Sequence, residues 1–151
     1  MTIDAFQHWI YTNPNHSPGE RGKCFSSLIE RFNAGVDWSG VEDKKEFSWM
    51  FQLHLFKYPF YYIEYGIAQL AALAIYMNYR EKGREAIREY DNFMKEGYSK
   101  PLDKLYQTAG IRFDFSESYI TELVDFVRKE LKSTLTFFFY SNNKIAQLIF
   151  S

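Results

Sequence analysis

Eighteen residues from Phe60 to Met77 carry one charged side chain, Glu64, and that run limits what the rest of the 151-residue chain can do. A span so apolar either crosses a bilayer or is packed around by other elements. Transfer arithmetic favours packing. Phe60, Ile63, Ile67, Leu70, Leu73 and Ile75 together contribute about −3 kcal/mol toward insertion, and Glu64 alone, at about the cost of an aspartate, largely cancels that. Gln69 and the hydroxyls of Tyr61, Tyr62, Tyr65 and Tyr76 tip the balance further. Gly66, Ala68, Ala71, Ala72 and Ala74 permit close backbone approach, so the segment reads as the buried central helix of a helical protein and not as a membrane span.

The flanking segments agree with an all-α, multi-helical fold, because their apolar residues recur at helical rather than strand spacing. Ile3, Phe6 and Ile10 mark a helix from Ile3 to Tyr11 that Asn13-Pro14-Asn15 stops. Ser17-Pro18-Gly19-Glu20 is a capping box with proline at the first helical position, opening a helix to about Phe32. A further helix is expected from Val41 to Leu55, then the central one from Phe60 to Arg80 with Gly83 as its left-handed stop. Arg84 to Glu96 places Ile87, Tyr90 and Met94 on one stripe, and Pro101 opens a short helix ending at Gly110. Asp114 or Ser116 caps the last strongly periodic segment, whose expected apolar face is Ile120, Leu123, Val124 and Val127. After Lys132 the character changes to aromatic and β-branched residues with Lys144 as the one charge, so the domain is read as 3–131 with a divergent aromatic-rich tail, 132–151.

Composition narrows the function. Eighteen Lys and Arg against nineteen Asp and Glu leave a net charge of −1, without the basic excess of a nucleic-acid binder. The single cysteine, Cys24, forms no internal disulfide, and the amino terminus lacks a secretory leader, which makes the cytoplasm the expected compartment. There is no H-E-x-x-H, phosphate-binding glycine loop or paired-cysteine metal box, so no self-sufficient catalytic centre is visible and no residue of the chain is assigned as a metal ligand. His8 and His16 read as structural or solvated residues, and Cys24 as a small core residue.

One constellation stands out: His54-Leu-Phe-Lys-Tyr58-Pro59-Phe60-Tyr61-Tyr62-Ile-Glu64-Tyr65-Gly66. His54 precedes a proline-marked break, and Tyr62 and Tyr65 are three apart on one helical face, so a kink brings an imidazole and two phenols to a common cleft. Such groups suit an oxyanion formed when water attacks an amide carbonyl. Tyrosines at helical spacing equally serve as core or interface residues, and the residues alone leave both uses open.

The run FQLHLFKYPFYYIEYGIAQLAAL, Phe51 to Leu73, resembles the C-terminal signature of the oligoendopeptidase F group, related to thimet oligopeptidase, a family of zinc metallopeptidases. DAFQHWIYTNP (Asp4 to Pro14), VDWSG (Val36 to Gly40) and KPLDKLYQTAGIRFDFS (Lys100 to Ser116) are similar to blocks flanking that signature in the same order. The resemblance implies the C-terminal portion of a zincin-type oligopeptidase catalytic domain, whose channel admits short peptides to a zinc ion. It implies that His54, Tyr62 and Tyr65 are catalytic, binding substrate and stabilising the oxyanion, with Tyr61 as a substrate-binding member of the same wall. It also implies a departure: the family's zinc motif lies upstream of the first block, so zinc, the family's cofactor, is expected not to bind this chain alone. The chain is thus expected to be a fragment, inactive unless an upstream peptidase fragment supplies the metal site. The alternative is a stand-alone helical module that binds peptides or another protein without catalysis.

Overall fold

The computed structural model describes residues 1–33 and 35–149, with side chains described through residue 135. The described residues form α-helices joined by turns, in the order α1 (Thr2–Thr12), α2 (Pro18–Phe32), α3 (Glu42–Lys45), α4 (Leu53–Lys57), α5 (Tyr62–Lys82), α6 (Arg84–Glu96), α7 (Leu102–Thr108) and α8 (Glu117–Ile149). A 3-10 turn, Ser48–Phe51, lies between α3 and α4. The fold class is all-α, and no described helix is long and apolar enough to cross a membrane. The chain divides into two compact units, Met1–Ala68 and Gln69–Ser151, the division falling within α5.

Unit one forms around α1 and α2. The capping box is present: Ser17 N–H donates to Glu20 Oε2 at 2.8 Å, and Glu20 N–H donates to Ser17 Oγ at 3.3 Å. Phe6, Phe25, Ile29 and Trp49 make the core, with the Phe6 ring 4.8 Å from Phe25 in an edge contact and 5.7 Å from Trp49. His16 is structural, its Nδ1 donating to the Asn13 carbonyl at 2.5 Å and its Nε2 accepting from Arg21 Nε at 2.8 Å. Cys24 is partly buried, and that burial pushes its thiol pKa up, away from a reactive thiolate.

The expected helix from Val41 to Leu55 is not continuous. It breaks into α3, the 3-10 turn and α4, with Lys45 and Glu46 held against α2 and Trp49 in the core. Gly22 has no side chain to block Glu46, whose Cβ would lie 3.3 Å from a Cβ at position 22. Lys45 Nζ bonds Glu30 Oε1 at 2.5 Å, and Trp49 turns inward to the core.

In unit two the buried residues are Ala74 of α5, Ala86 of α6, Leu105 and Tyr106 of α7, Ala109, Ile111, and Tyr119 and Leu123 of α8. Alanines let α5 and α6 present backbone rather than bulk. Asn78 Nδ2 donates to the Gly110 carbonyl at 2.7 Å, and Glu130 accepts from Tyr76 at 3.2 Å and pairs with Arg80 at 2.9 Å.

Burial in three helices differs from the sequence expectation. Ala74 is the one buried residue of α5, and Ile63 and Tyr65 are exposed, so this chain does not enclose its most apolar helix. The α6 stripe of Ile87, Tyr90 and Met94 faces solvent, while Ala86 beside it is buried. On α8, Tyr119 and Leu123 form the buried line and Ile120 and Val124 are exposed. Periodicity counts apolar side chains along a helix; it does not supply the surface that covers them. The backbone of α8 runs through the expected boundary at residue 132, and the side chains of the expected tail beyond residue 135 lie outside the described residues.

Candidate active site

The sequence-derived site residues meet in unit one. α4 carries His54 and the first turn of α5 carries Tyr62 and Tyr65, with Tyr58, Pro59, Phe60 and Tyr61 reversing the chain between them. Tyr58 C=O accepts from Tyr61 N–H at 3.2 Å across that reversal. Proline cannot donate a backbone bond and disfavours helix in the residue before it, so α4 ends and α5 begins anew within a few residues.

The half-buried His54 imidazole is surrounded by phenol rings. Its centroid lies 5.1 Å from Tyr61, nearly parallel, 5.2 Å from Tyr62 and 5.9 Å from Tyr65, both edge-on. Tyr58, at 5.6 Å, completes the cage. Tyr61 and Tyr65 pack at 5.6 Å, and Tyr62 and Tyr65 at 5.7 Å. The Tyr65 hydroxyl stands 3.5 Å from His54 Nε2, at the outer limit of a hydrogen bond.

Tyr62 differs from its neighbours. Its hydroxyl donates to Gln52 Oε1, and burial, with the Tyr65 phenol as a lesser cause, raises its pKa above the ordinary tyrosine value. It therefore remains a protonated donor at neutral pH. Tyr58, Tyr61 and Tyr65 are exposed, so the cage is open on one side.

Gln52 is a part of the site that motif reading missed, and Tyr58 lay within the run that stood out but was given no role there. The signal for Tyr58 was adjacency, since residue 58 follows residue 54 by one helical turn and lies on the same face as His54. Gln52 had no such signal, because it precedes α4 and reaches Tyr62 only through the chain reversal.

A bare wall of donors can bind a peptide carbonyl and favour negative charge on its oxygen. It does not match a zinc site. Among the described residues no three His, Cys, Asp or Glu side chains converge, and the groups around His54 are phenols and a carboxamide, whereas zinc takes imidazole, thiolate and carboxylate.

Solved structures share this arrangement of helices. The chain is similar to PZ peptidase A, solved with an inhibitor, at 29% identity and a TM-score of 0.78, covering 87% of this chain and 24% of that one. It is similar also to a structure described as an oligoendopeptidase F, at 27% identity and a TM-score of 0.77, again covering 87% of this chain and 24% of that one. The chain thus spans about a quarter of the length of these neighbours. No curated protein sequence matches it. Residues 1–125 match the sequence profile of Peptidase family M3, a zinc metallopeptidase family, and that stretch includes all the site residues above. The chain belongs to Peptidase family M3.

Proposed function

We propose that this chain is the substrate-binding and oxyanion-stabilising wall of a zinc metalloendopeptidase of the oligoendopeptidase F type, which hydrolyses short peptides with a metal site supplied by polypeptide outside residues 1–151. The observation that carries the proposal is the His54 imidazole ringed by Tyr58, Tyr61, Tyr62 and Tyr65, with the Tyr65 hydroxyl at 3.5 Å from Nε2 and the cage open to solvent. When an amide carbonyl is attacked, charge develops on its oxygen, and preorganised donors lower the barrier because they need no reorientation at that moment. Tyr65 is such a donor with His54 beside its hydroxyl, Tyr62 joins it by turning its single O–H from Gln52 Oε1 to the carbonyl oxygen, His54 contacts the peptide backbone, and Tyr61 offers a ring face to a peptide side chain. The cytoplasm fits a chain with one unpaired thiol.

The full chain, mixed with zinc and a quenched peptide, is expected to hold no stoichiometric metal and to show no turnover. Adding an M3 segment that carries H-E-x-x-H should then produce hydrolysis. Stoichiometric zinc and turnover by the chain alone would overturn the proposal. A second reading, a helical peptide-binding module, draws on the exposed rings of Tyr58, Tyr61 and Tyr65. It predicts peptide binding with no turnover even after the zinc-bearing segment is added.

A further inference from the structure

Gln7 on α1 is 2% exposed, and its Oε1 accepts the Phe60 N–H at 2.8 Å from 53 residues away in sequence. Its Nε2 is buried with no hydrogen-bond partner. Half-satisfied buried amides are destabilising, and methionine would fill a similar volume without that penalty. The carboxamide is therefore best explained by its oxygen, the end that faces Phe60 because a backbone N–H can only donate.

The recipient is unusual. Tyr58 to Tyr61 closes a four-residue turn with Pro59 and Phe60 at its centre. Proline suits the first central position, but the second has φ of 58°, a conformation that such turns give to glycine or asparagine. Among the described residues Phe60 is the one non-glycine at positive φ. A strained residue of this kind persists when its surroundings over-determine it. α1 does so at three points: Gln7 holds the backbone, and the His8 and Tyr11 rings lie 4.9 Å and 5.3 Å from the Phe60 ring. The turn delivers the chain to Tyr61 and to Tyr62, the first residue of α5, so its geometry sets where the tyrosines stand against His54.

We propose that Gln7 is a positioning residue: its carboxamide oxygen holds the Tyr58–Tyr61 turn in its strained form and thereby sets the ring cage around His54. The inference rests on the proposed role of that cage in handling peptide, and Gln7 acts through Phe60 rather than on the peptide.

The test uses the full chain, with Gln7→Met to remove the acceptor at near-constant volume and Gln7→Met/Phe60→Gly to remove the strain as well. Nuclear Overhauser effects between the His54 ring and Tyr61, Tyr62 and Tyr65 are expected to weaken several-fold in Gln7→Met while far-UV circular dichroism is retained. Glycine at position 60 should restore a large part of them, because it adopts the turn unaided. Undiminished Overhauser effects in Gln7→Met, or no recovery in the double variant, would overturn the proposal, the latter by showing that Gln7 acts through core packing. If Gln7→Met does not fold, amide exchange of the wild-type chain decides: a Phe60 amide slowed by an order of magnitude or more supports the latch, and one exchanging as an open amide overturns it. A titration with a random mixture of blocked hexapeptides separates this from the functional proposal. If the cage loosens in Gln7→Met while the cage signals of the wild-type chain ignore the peptides, the latch stands and its proposed use is removed.

Discussion

Replacing Phe6 by leucine tests the core on which the site is mounted. Phe6 is fully buried, and its ring meets Phe25 at 4.8 Å edge-on and Trp49 at 5.7 Å. Phe6 also stacks on Trp9 at 6.5 Å, and aromatic pairs contribute roughly 0.5–1.5 kcal/mol each beyond area burial, so losing three predicts a destabilisation of about 1.5–4.5 kcal/mol. All three tryptophans, Trp9, Trp38 and Trp49, lie within Met1–Ala68, so tryptophan fluorescence reports on this unit even if the two units unfold separately. With a urea slope of roughly 1 kcal/mol/M for so small a unit, the fluorescence midpoint should fall by about 1.5 M or more. A midpoint that moves by less than about 0.3 M at unchanged slope would refute the ring-packing account of this core.

Three further outcomes follow from single interactions. Glu20 has its pKa held below the ordinary carboxylate range, first by the Ser17 backbone N–H and then by the Ser17 hydroxyl. Its contribution to α2 is thus present above the unfolded value of about 4.3 and is lost as pH falls through the lower folded value; fluorescence-monitored urea midpoints at neutral and acid pH should show a smaller acid loss in Ser17→Ala than in wild type. Gly110 sits at φ of 71°, and a Cβ there would meet the Glu89 carboxylate and lie 3.3 Å from Asn78 Nδ2. Gly110→Ala should destabilise unit two by about 1–3 kcal/mol, read from urea unfolding followed by far-UV circular dichroism. Tyr62→Phe removes the hydroxyl that donates to Gln52. In a chain complemented with the zinc-bearing segment it should lower kcat by about 10²–10³-fold, whereas a loss confined to KM would assign Tyr62 to binding alone.

What could be read in the sequence was what depends on neighbours along the chain. Ser17, Pro18 and Glu20 fix the start of α2 within one turn, and Gly83 and Gly97, both at positive φ, bound α6 where their sequence positions put the breaks. His54, Tyr62 and Tyr65 were legible because a proline break and an i, i+3 spacing suffice to gather them. The region from Val41 to Leu55 was misread as one helix because its interruptions are tertiary: Glu46 settles on Gly22, Lys45 reaches Glu30 and Trp49 enters the core, with no glycine or proline to announce any of it. Gln7 was illegible for the same reason, since its partner lies 53 residues away. The apolar side chains of Ile63, Ile87 and Met94 were read correctly as apolar and wrongly as covered. Burial belongs to a pair of surfaces, and this chain spans only 24% of the length of the peptidases it resembles.

The central claim is that the tyrosine cage around His54 is a peptide-binding wall, and a titration of the full chain with blocked hexapeptides, followed by NMR, tests it most directly. Shifts concentrated on His54, Tyr61, Tyr62 and Tyr65, and diminished in Tyr62→Phe, are the predicted result. Cage signals that stay fixed while peptide accumulates, or shifts confined to other parts of the chain, would contradict it.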